Sequence, residues 1–422
     1  MPRLARNCWA SAGTAVSSTP RLNPIKQWVG GTEAAMATTP SVGPRRRIYF
    51  LSGFDPRGGN HYYKLFAKQL QVVAANEQQS YRLRRRRQQA NGLSSCWMLE
   101  AAGEPLLELV FLHWDDIARD HWPRSPWVIL RDVLIFAWWY VAQGGLLSIA
   151  RMSPSVALCG FYPILFVLTV AIAVVLLAVV GSSFLLSVHL GKAWVVAVVV
   201  CLAVVLLHRS WIVANQLGVV WLFRSIRFTH QLGQARDGAL RARVAALSEY
   251  VIDREHRQLA DDILVVGHSS GSFVMAMLAA AMKRHSSWAK LQPRLRLLSL
   301  GQNLANLAVH KRANLFHRDL LELAADPRPS WIDVTSRDDF LCFAGVNPYR
   351  SCGLLPSGPD CEDVSFDFPD LRMIDLAPAR GICHWWQLLG CQFDLHFDYL
   401  RARDAGQLGF DFWGFILSAN HA

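Results

Sequence analysis

Two stretches without a charged side chain constrain this chain more than any other feature: residues 160–180, 21 in a row, and residues 193–207, 15 in a row. About 20 apolar residues are needed to cross ~30 Å of hydrocarbon, and buried helices of soluble domains rarely sustain such runs. Two transmembrane helices are therefore expected, over residues 158–181 and 186–208, with residues 185–190 extending the second run backwards. Two weaker apolar segments flank the pair. Residues 133–142 are broken by Gln143, Gly144 and Gly145, and residues 212–223 are short and hold Asn215 and Gln216. Both are expected as interfacial helices, with four spans in place of two if both cross. Arg151, Arg209, Arg224 and Arg227 lie outside the pair and Lys192 between its members, so the positive-inside rule puts the flanks in the cytoplasm.

Composition supports a membrane setting. Of the 422 residues 52% are hydrophobic and 18% charged, which disfavours both a disordered chain and a fully soluble one. The formal charge of +11 looks at first like a nucleic-acid signal. Seven cations, Arg3, Arg6, Arg21, Lys26, Arg45, Arg46 and Arg47, stand against Glu33 in the first 47 residues and supply +6 of it. The one local run, Arg82 with Arg84, Arg85, Arg86 and Arg87, suits an anionic membrane surface as well as a polynucleotide. The partner expected is therefore a lipid bilayer and no nucleic acid. Nine cysteines without a CxxC pair give neither a disulfide framework nor a zinc site, and no metal or cofactor is expected. Only seven of the 43 basic residues are Lys, which hints at a GC-rich bacterial source and hence an inner membrane.

Residues 1–46, rich in Ala, Ser, Thr, Pro and Gly, lack a signal-peptide core and are expected as a disordered tail. A transit peptide and an upstream start codon both fit that composition. Apolar runs alternating with helical patterns then indicate an α/β fold: strands at 48–51, 96–99, 106–113, 263–266, 295–300 and 331–335, one more at 372–376, and helices over 60–76, 235–259 and 304–325. Residues 47–120 and 230–422 are expected to form one domain, interrupted by a membrane insert over residues 121–229.

Within that domain Gly267-His268-Ser269-Ser270-Gly271 is the only G-x-S-x-G in the chain, with an apolar strand run before it and an Ala-rich helix run after it. A serine there stands on a tight strand-to-helix turn whose glycines, Gly267 and Gly271, let the two elements approach. Its hydroxyl is a weak nucleophile until a histidine takes the proton and a carboxylate orients that histidine. In folds built on this elbow both partners follow the serine in the chain. The run 331–335 ends near two aspartates, of which Asp339 precedes an apolar turn able to bury it against a histidine, with Asp338 as the fallback. Three histidines follow: His421 near the terminus, His384 in an aromatic turn, and His396 before a helix-like segment. His396 is preferred and His384 is the fallback. The glycine-rich loop after the first central strand offers the Phe54 amide as an oxyanion donor beside that of Ser270.

These features resemble the α/β-hydrolase superfamily, its lipase-like branch above all, over roughly residues 47–120 and 230–420. Ser52 stands where many members carry the His of a His-Gly pair, and the insert takes the place of a cap, as in uncharacterised bacterial membrane hydrolases. The resemblance implies a mostly parallel sheet with helices on both faces. It also implies a serine hydrolase or acyltransferase acting on a carboxylic ester or thioester, a small-molecule or lipid ester, through Ser269, His396 and Asp339. A non-catalytic membrane protein that keeps the scaffold for partner binding is the rival expectation.

Overall fold

The computed structural model describes residues 46–86, 92–122, 125–189, 191–326, 328–355, 368–376, 392–403 and 409–418. The expected tail lies outside them except for Arg46, which opens strand β1 (Arg46–Leu51). Side chains of β1 alternate between two apolar clusters, Ile48 and Phe50 in one and Tyr49 and Leu51 in the other. A strand buried on both faces in this way belongs at the centre of a helix-covered sheet.

Among the described residues that sheet has eight strands. They are β1, β2 (Tyr81–Arg85), β3 (Ser94–Ala101), β4 (Glu104–Leu112), β5 (Asp262–His268), β6 (Leu295–Leu300), β7 (Ser330–Thr335) and β8 (Asp370–Met373). Their order is β2-β3-β4-β1-β5-β6-β7-β8. Strands from β4 to β8 run parallel, and only the β2-β3 and β3-β4 pairs are antiparallel. Strands from both sides of the apolar region are thus direct neighbours, with Leu51 opposite Gly267. The described residues form one compact unit.

Helix α1 (Gly58–Glu77) covers one face with Tyr62, Phe66, Leu70 and Val73, spaced so that they share one stripe. Arg46 and Arg47, counted above with the tail, are strand residues. Arg47 is fully buried, with ion pairs to Glu108 at 2.8 Å and Glu255 at 2.6 Å. The Arg run holds β2, an edge strand whose Leu83 alone is buried; flanking arginines keep that edge solvated.

The insert contains α2 (Pro126–Phe136), prolonged by a π-helical turn Ala137–Ala142, and then α3 (Gly145–Met152), α4 (Pro154–Ser187), α5 (Lys192–Gln216) and α6 (Val219–Gly233). Among the described residues two helices, α4 and α5, are long and apolar enough to cross a membrane, with 34 and 25 residues. At 1.5 Å per residue they reach about 51 Å and 37 Å. Only 6% and 11% of their most apolar windows is buried. The boundaries differ from those expected: residues 182–187 continue the first helix, and the second begins only at Lys192. The chain turns where His189 takes a positive φ of 60°, so a break in backbone geometry overrides the continuous apolar pattern. The segment before the pair bends by 66° at its glycines. Residues 212–223, expected to be interfacial, divide at Gly218, and Val219, Val220, Leu222 and Phe223 are buried. They pack because α6 returns along the domain instead of lying on its surface.

After the insert, α7 (Gly238–Arg257) and α8 (Gly271–Lys283) cover the other face of the sheet, followed by α9 (Asn314–Ala324). Leu304–Ala308 and α9 divide what the sequence pattern reads as one helix.

One buried carboxyl makes the fold pH-sensitive. Asp333 on β7 accepts from the Ser299 hydroxyl, its other oxygen has no partner among the described residues, and burial pushes its pKa up to about 7. An unfolded carboxyl titrates near 4. Between those values the folded chain holds a proton that the unfolded chain has lost, so stability falls as pH rises from about 4 to 7. Asp333→Asn should flatten that fall and raise the melting midpoint at pH 8, which thermal melts of both proteins across pH 4–8 will check.

Candidate active site

The carboxyl ends of β1, β5, β6 and β7 meet at one edge of the sheet, where α/β folds place their sites. Ser269 follows β5 and takes a φ of 57°, a left-handed conformation that side-chain-bearing residues rarely adopt. Its amide donates to Leu300 O at 2.9 Å, and its carbonyl accepts from the amide and hydroxyl of Ser272 at 3.0 and 2.6 Å. The flanking glycines serve close approach. A Cβ on Gly267 would lie 2.6 Å from Gly271 O, and one on Gly271 would lie 2.6 Å from Ser52 O. Strand, turn and helix therefore stack backbone on backbone, with Ser269 at the crest.

Asp339 follows β7 and is fully buried. Its carboxylate accepts three hydrogen bonds: from His396 Nδ1 at 2.7 Å, from the Tyr399 hydroxyl at 3.2 Å and from the Leu341 amide at 2.9 Å. Asp338 points elsewhere, accepting from the Leu376 amide at 3.0 Å and the Ser336 hydroxyl at 3.3 Å. His396 closes a helical turn over residues 392–396, ahead of the 3-10 turn Asp398–Leu400. The fallback His384 and the terminal His421 lie outside the described residues.

Gly301, after β6, brings the histidine to the serine. The residue before it receives the Ser269 amide bond, and a Cβ on Gly301 would stand 3.3 Å from His396 Cε1 and from Asp339 Oδ2. The bond expected between the Ser269 hydroxyl and His396 Nε2 is not formed. Nε2 is buried and has no hydrogen-bond partner among the described residues, while the hydroxyl accepts from Asn303 Nδ2 at 3.3 Å.

The loop after β1 lies against the serine. A Cβ on Gly53 would be 2.8 Å from Ser269 Cβ and 3.2 Å from Oγ. Its carbonyls are engaged: Ser52 O accepts from Trp114 Nε1 at 2.9 Å and Phe54 O from Trp221 Nε1 at 3.0 Å, both from outside the loop, and Gly53 O accepts from the Asp55 amide within it at 2.7 Å. The amides of Phe54 and Ser270 donate to no group among the described residues. Two free amides beside a strained serine can receive an oxyanion.

Sequence reasoning missed several supporting residues. His268, inside the pentapeptide, donates from Nε2 to His396 O at 2.7 Å. Burial first, and then the nearby His396, pulls its pKa down to about 3, so it is a neutral positioning group. Gln302, fully buried, donates to Phe343 O and Val346 O and ties the loop after β6 to the Asp339 loop. A polar Gly-Gln-Asn triplet ending an apolar strand was the available signal for Gln302 and Asn303.

A second relay also went unread. The Ser95 hydroxyl and His113 Nε2 are 2.8 Å apart, and His113 Nδ1 donates to Asp115 at 2.8 Å. Ser95 is a paired residue inside β3, opposite Phe111, and has none of the turn geometry of Ser269. Asp115 is shared with Arg119. Among the described residues no group of three His, Cys, Asp or Glu could hold a metal ion.

No family model matches this chain, and no curated protein or solved structure matches it. Fold and site define an α/β protein with a G-x-S-x-G elbow and a buried histidine-aspartate pair.

Proposed function

We propose that this chain is a membrane-anchored serine hydrolase of the α/β-hydrolase type, cleaving a carboxylic ester or thioester through Ser269. The observation that carries it is the strained serine at the β5-α8 turn next to a histidine whose Nδ1 is held by a buried carboxylate and whose Nε2 is unoccupied. With Nδ1 protonated, Nε2 is the basic nitrogen. The Ser269 hydroxyl turns from Asn303 toward it and attacks the acyl carbon while His396 takes the proton. The Phe54 and Ser270 amides receive the negative oxygen. Collapse expels the alcohol or thiol with the proton from His396, and water, or another acceptor in an acyltransferase, then releases the acyl group from Ser269.

Placement in a bilayer is part of the same proposal. Helices α4 and α5 expose apolar side chains on all sides, Leu168, Ile172, Val200 and Val204 among them, a surface suited to hydrocarbon. One sheet assembled from both sides of the insert requires an even number of crossings, so the bent α2-α3 pair is not a third span. The arginines outside the pair put the domain on the cytoplasmic side, and the Lys-poor composition points to a bacterial inner membrane. Lipid esters are favoured because the base of the insert touches the loops that carry Phe54, Asp339 and His396. Trp221 bonds the Phe54 carbonyl and packs on Phe393, three residues before His396, and Leu341 and Phe343 of the Asp339 loop share a cluster with Ile164 and Ala214.

A fluorophosphonate probe tests the mechanism. Wild type and Ser95→Ala should be labelled and Ser269→Ala should not. Absence of label on well-folded wild type would leave the non-catalytic scaffold as the better account.

A further inference from the structure

Away from the serine, a cavity of about 780 Å³ opens between α2 with its π turn, α6 and residues 309–312. Its described lining carries Arg131, Arg227, Arg236, Lys311 and Arg312 and no acid. Asp132 behind it pairs with Arg224, Arg227 and Arg131 and offsets one of these charges. The side chains of Arg236 and Lys311, both exposed, make no hydrogen bond or ion pair among the described residues.

His310, 1% exposed, also lines the cavity, and neither of its ring nitrogens has a hydrogen-bond partner among the described residues. Its ring stacks on Trp139 with centroids 3.9 Å apart. Burial, followed by His230 and His317, pulls its pKa down to about 3, and His230 falls to about 4 through burial, Arg227 and Arg236. Both rings are neutral at ordinary pH, and each keeps one N–H to donate. The cavity thus joins excess positive charge to a buried unpartnered donor, a combination that selects an anion with several acceptor oxygens.

The wall identifies the rest of the ligand. Leu134 and Trp138 line the cavity and are 64% and 65% exposed. With Trp127, Leu130 and Val141, also exposed, they form a single outward stripe along α2 and the π turn. An apolar stripe that ends in a basic pocket fits an amphiphile better than a polynucleotide, and aromatic-flanked basic pockets on a cytoplasmic face suit anionic headgroups.

We infer that this cavity is a phosphate-binding site, occupied by the phosphodiester headgroup of an anionic lipid. The lipid source rests on the membrane placement proposed above; the phosphate chemistry does not.

Binding should be measured on the full chain carrying Ser269→Ala, so that no ester is consumed, in uncharged detergent. The probes are dioctanoyl phosphatidylglycerol, inorganic phosphate and dioctanoylglycerol, which lacks phosphate. The phosphatidylglycerol should bind at least tenfold more tightly than dioctanoylglycerol. Substituting Arg236→Gln and Lys311→Gln together, at exposed positions that do not threaten the fold, should cost at least tenfold. His310→Phe, which keeps the stack on Trp139, should also weaken binding. Inorganic phosphate that competes supports the shared chemistry. Phosphate that binds where the lipid does not overturns the lipid source, and lipid affinity unchanged in these variants overturns the site. Because turnover is absent from the readout, failure here is distinct from failure of Ser269 labelling.

Discussion

Asp339→Asn should lower kcat/KM for a short-chain ester by about 10⁴-fold, whereas Asp338→Asn should stay within a few fold of wild type. The expected size follows from what the carboxylate does. It takes a proton-bearing Nδ1 at 2.7 Å and is itself fixed by the Tyr399 hydroxyl and the Leu341 amide. The Leu341 amide bonds one carboxylate oxygen, and His396 and the Tyr399 hydroxyl share the other, so an asparagine keeps the Leu341 bond only by placing its carbonyl there, which turns its NH₂ to the imidazole and the tyrosine hydroxyl. Nδ1 must then accept, the proton moves to Nε2, and the nitrogen assigned to take the Ser269 proton can no longer act as base. Loss of the correct tautomer with geometry intact costs serine hydrolases about four orders of magnitude. Asp338 holds the Leu376 amide and the Ser336 hydroxyl instead, so its replacement disturbs a turn and leaves the imidazole alone. Steady-state kinetics on the two purified variants check this, with melting midpoints to confirm that both fold. A large loss in Asp338→Asn beside a small one in Asp339→Asn would overturn the assignment of the acid.

The preference for Asp339 was legible because it depended on local sequence, an apolar turn directly after the residue. The same holds for the elbow, where strand, glycines and small-residue helix follow one another without interruption, and for strands β1, β5, β6 and β7, whose apolar runs are buried on both faces. Strand β2 was not legible. An edge strand needs only one inward side chain, here Leu83, and its arginines read as a solvated charge run. The ends of α4 and α5 were lost for a related reason, since hydropathy does not record where His189 breaks the helix. Asn303, Tyr399 and His268 act through partners 34, 60 and 128 residues away, and no local pattern announces such pairings. The orientation of the serine hydroxyl toward Asn303 belongs to this class too, because it is decided by competition between two side chains that only the assembled fold brings near.

Gly53→Ala should reduce kcat by roughly 10²–10³-fold while leaving the fold largely intact, which is the scale of losing one oxyanion donor. Gly53 is glycine for space alone. A methyl group there would come 2.8 Å from Ser269 Cβ, closer than real Cβ contacts allow, and a tight 3.2 Å from its Oγ. Relief must come from one side or the other. The serine is held by Leu300 and Ser272, and Ser52 O lies against Gly271, whose own replacement would collide with it. The loop is held in turn by the indoles of Trp114 and Trp221 on either side of Gly53. Two clamped backbones with no slack between them leave the Phe54 amide as the group most readily turned out of line, and its donation to the oxyanion is lost. KM should change less than kcat, because the acyl group and alcohol are not gripped by that amide in the ground state. Kinetics of Gly53→Ala beside its melting curve decide the matter. Activity within about threefold of wild type would remove the loop after β1, and with it Phe54, from the oxyanion site.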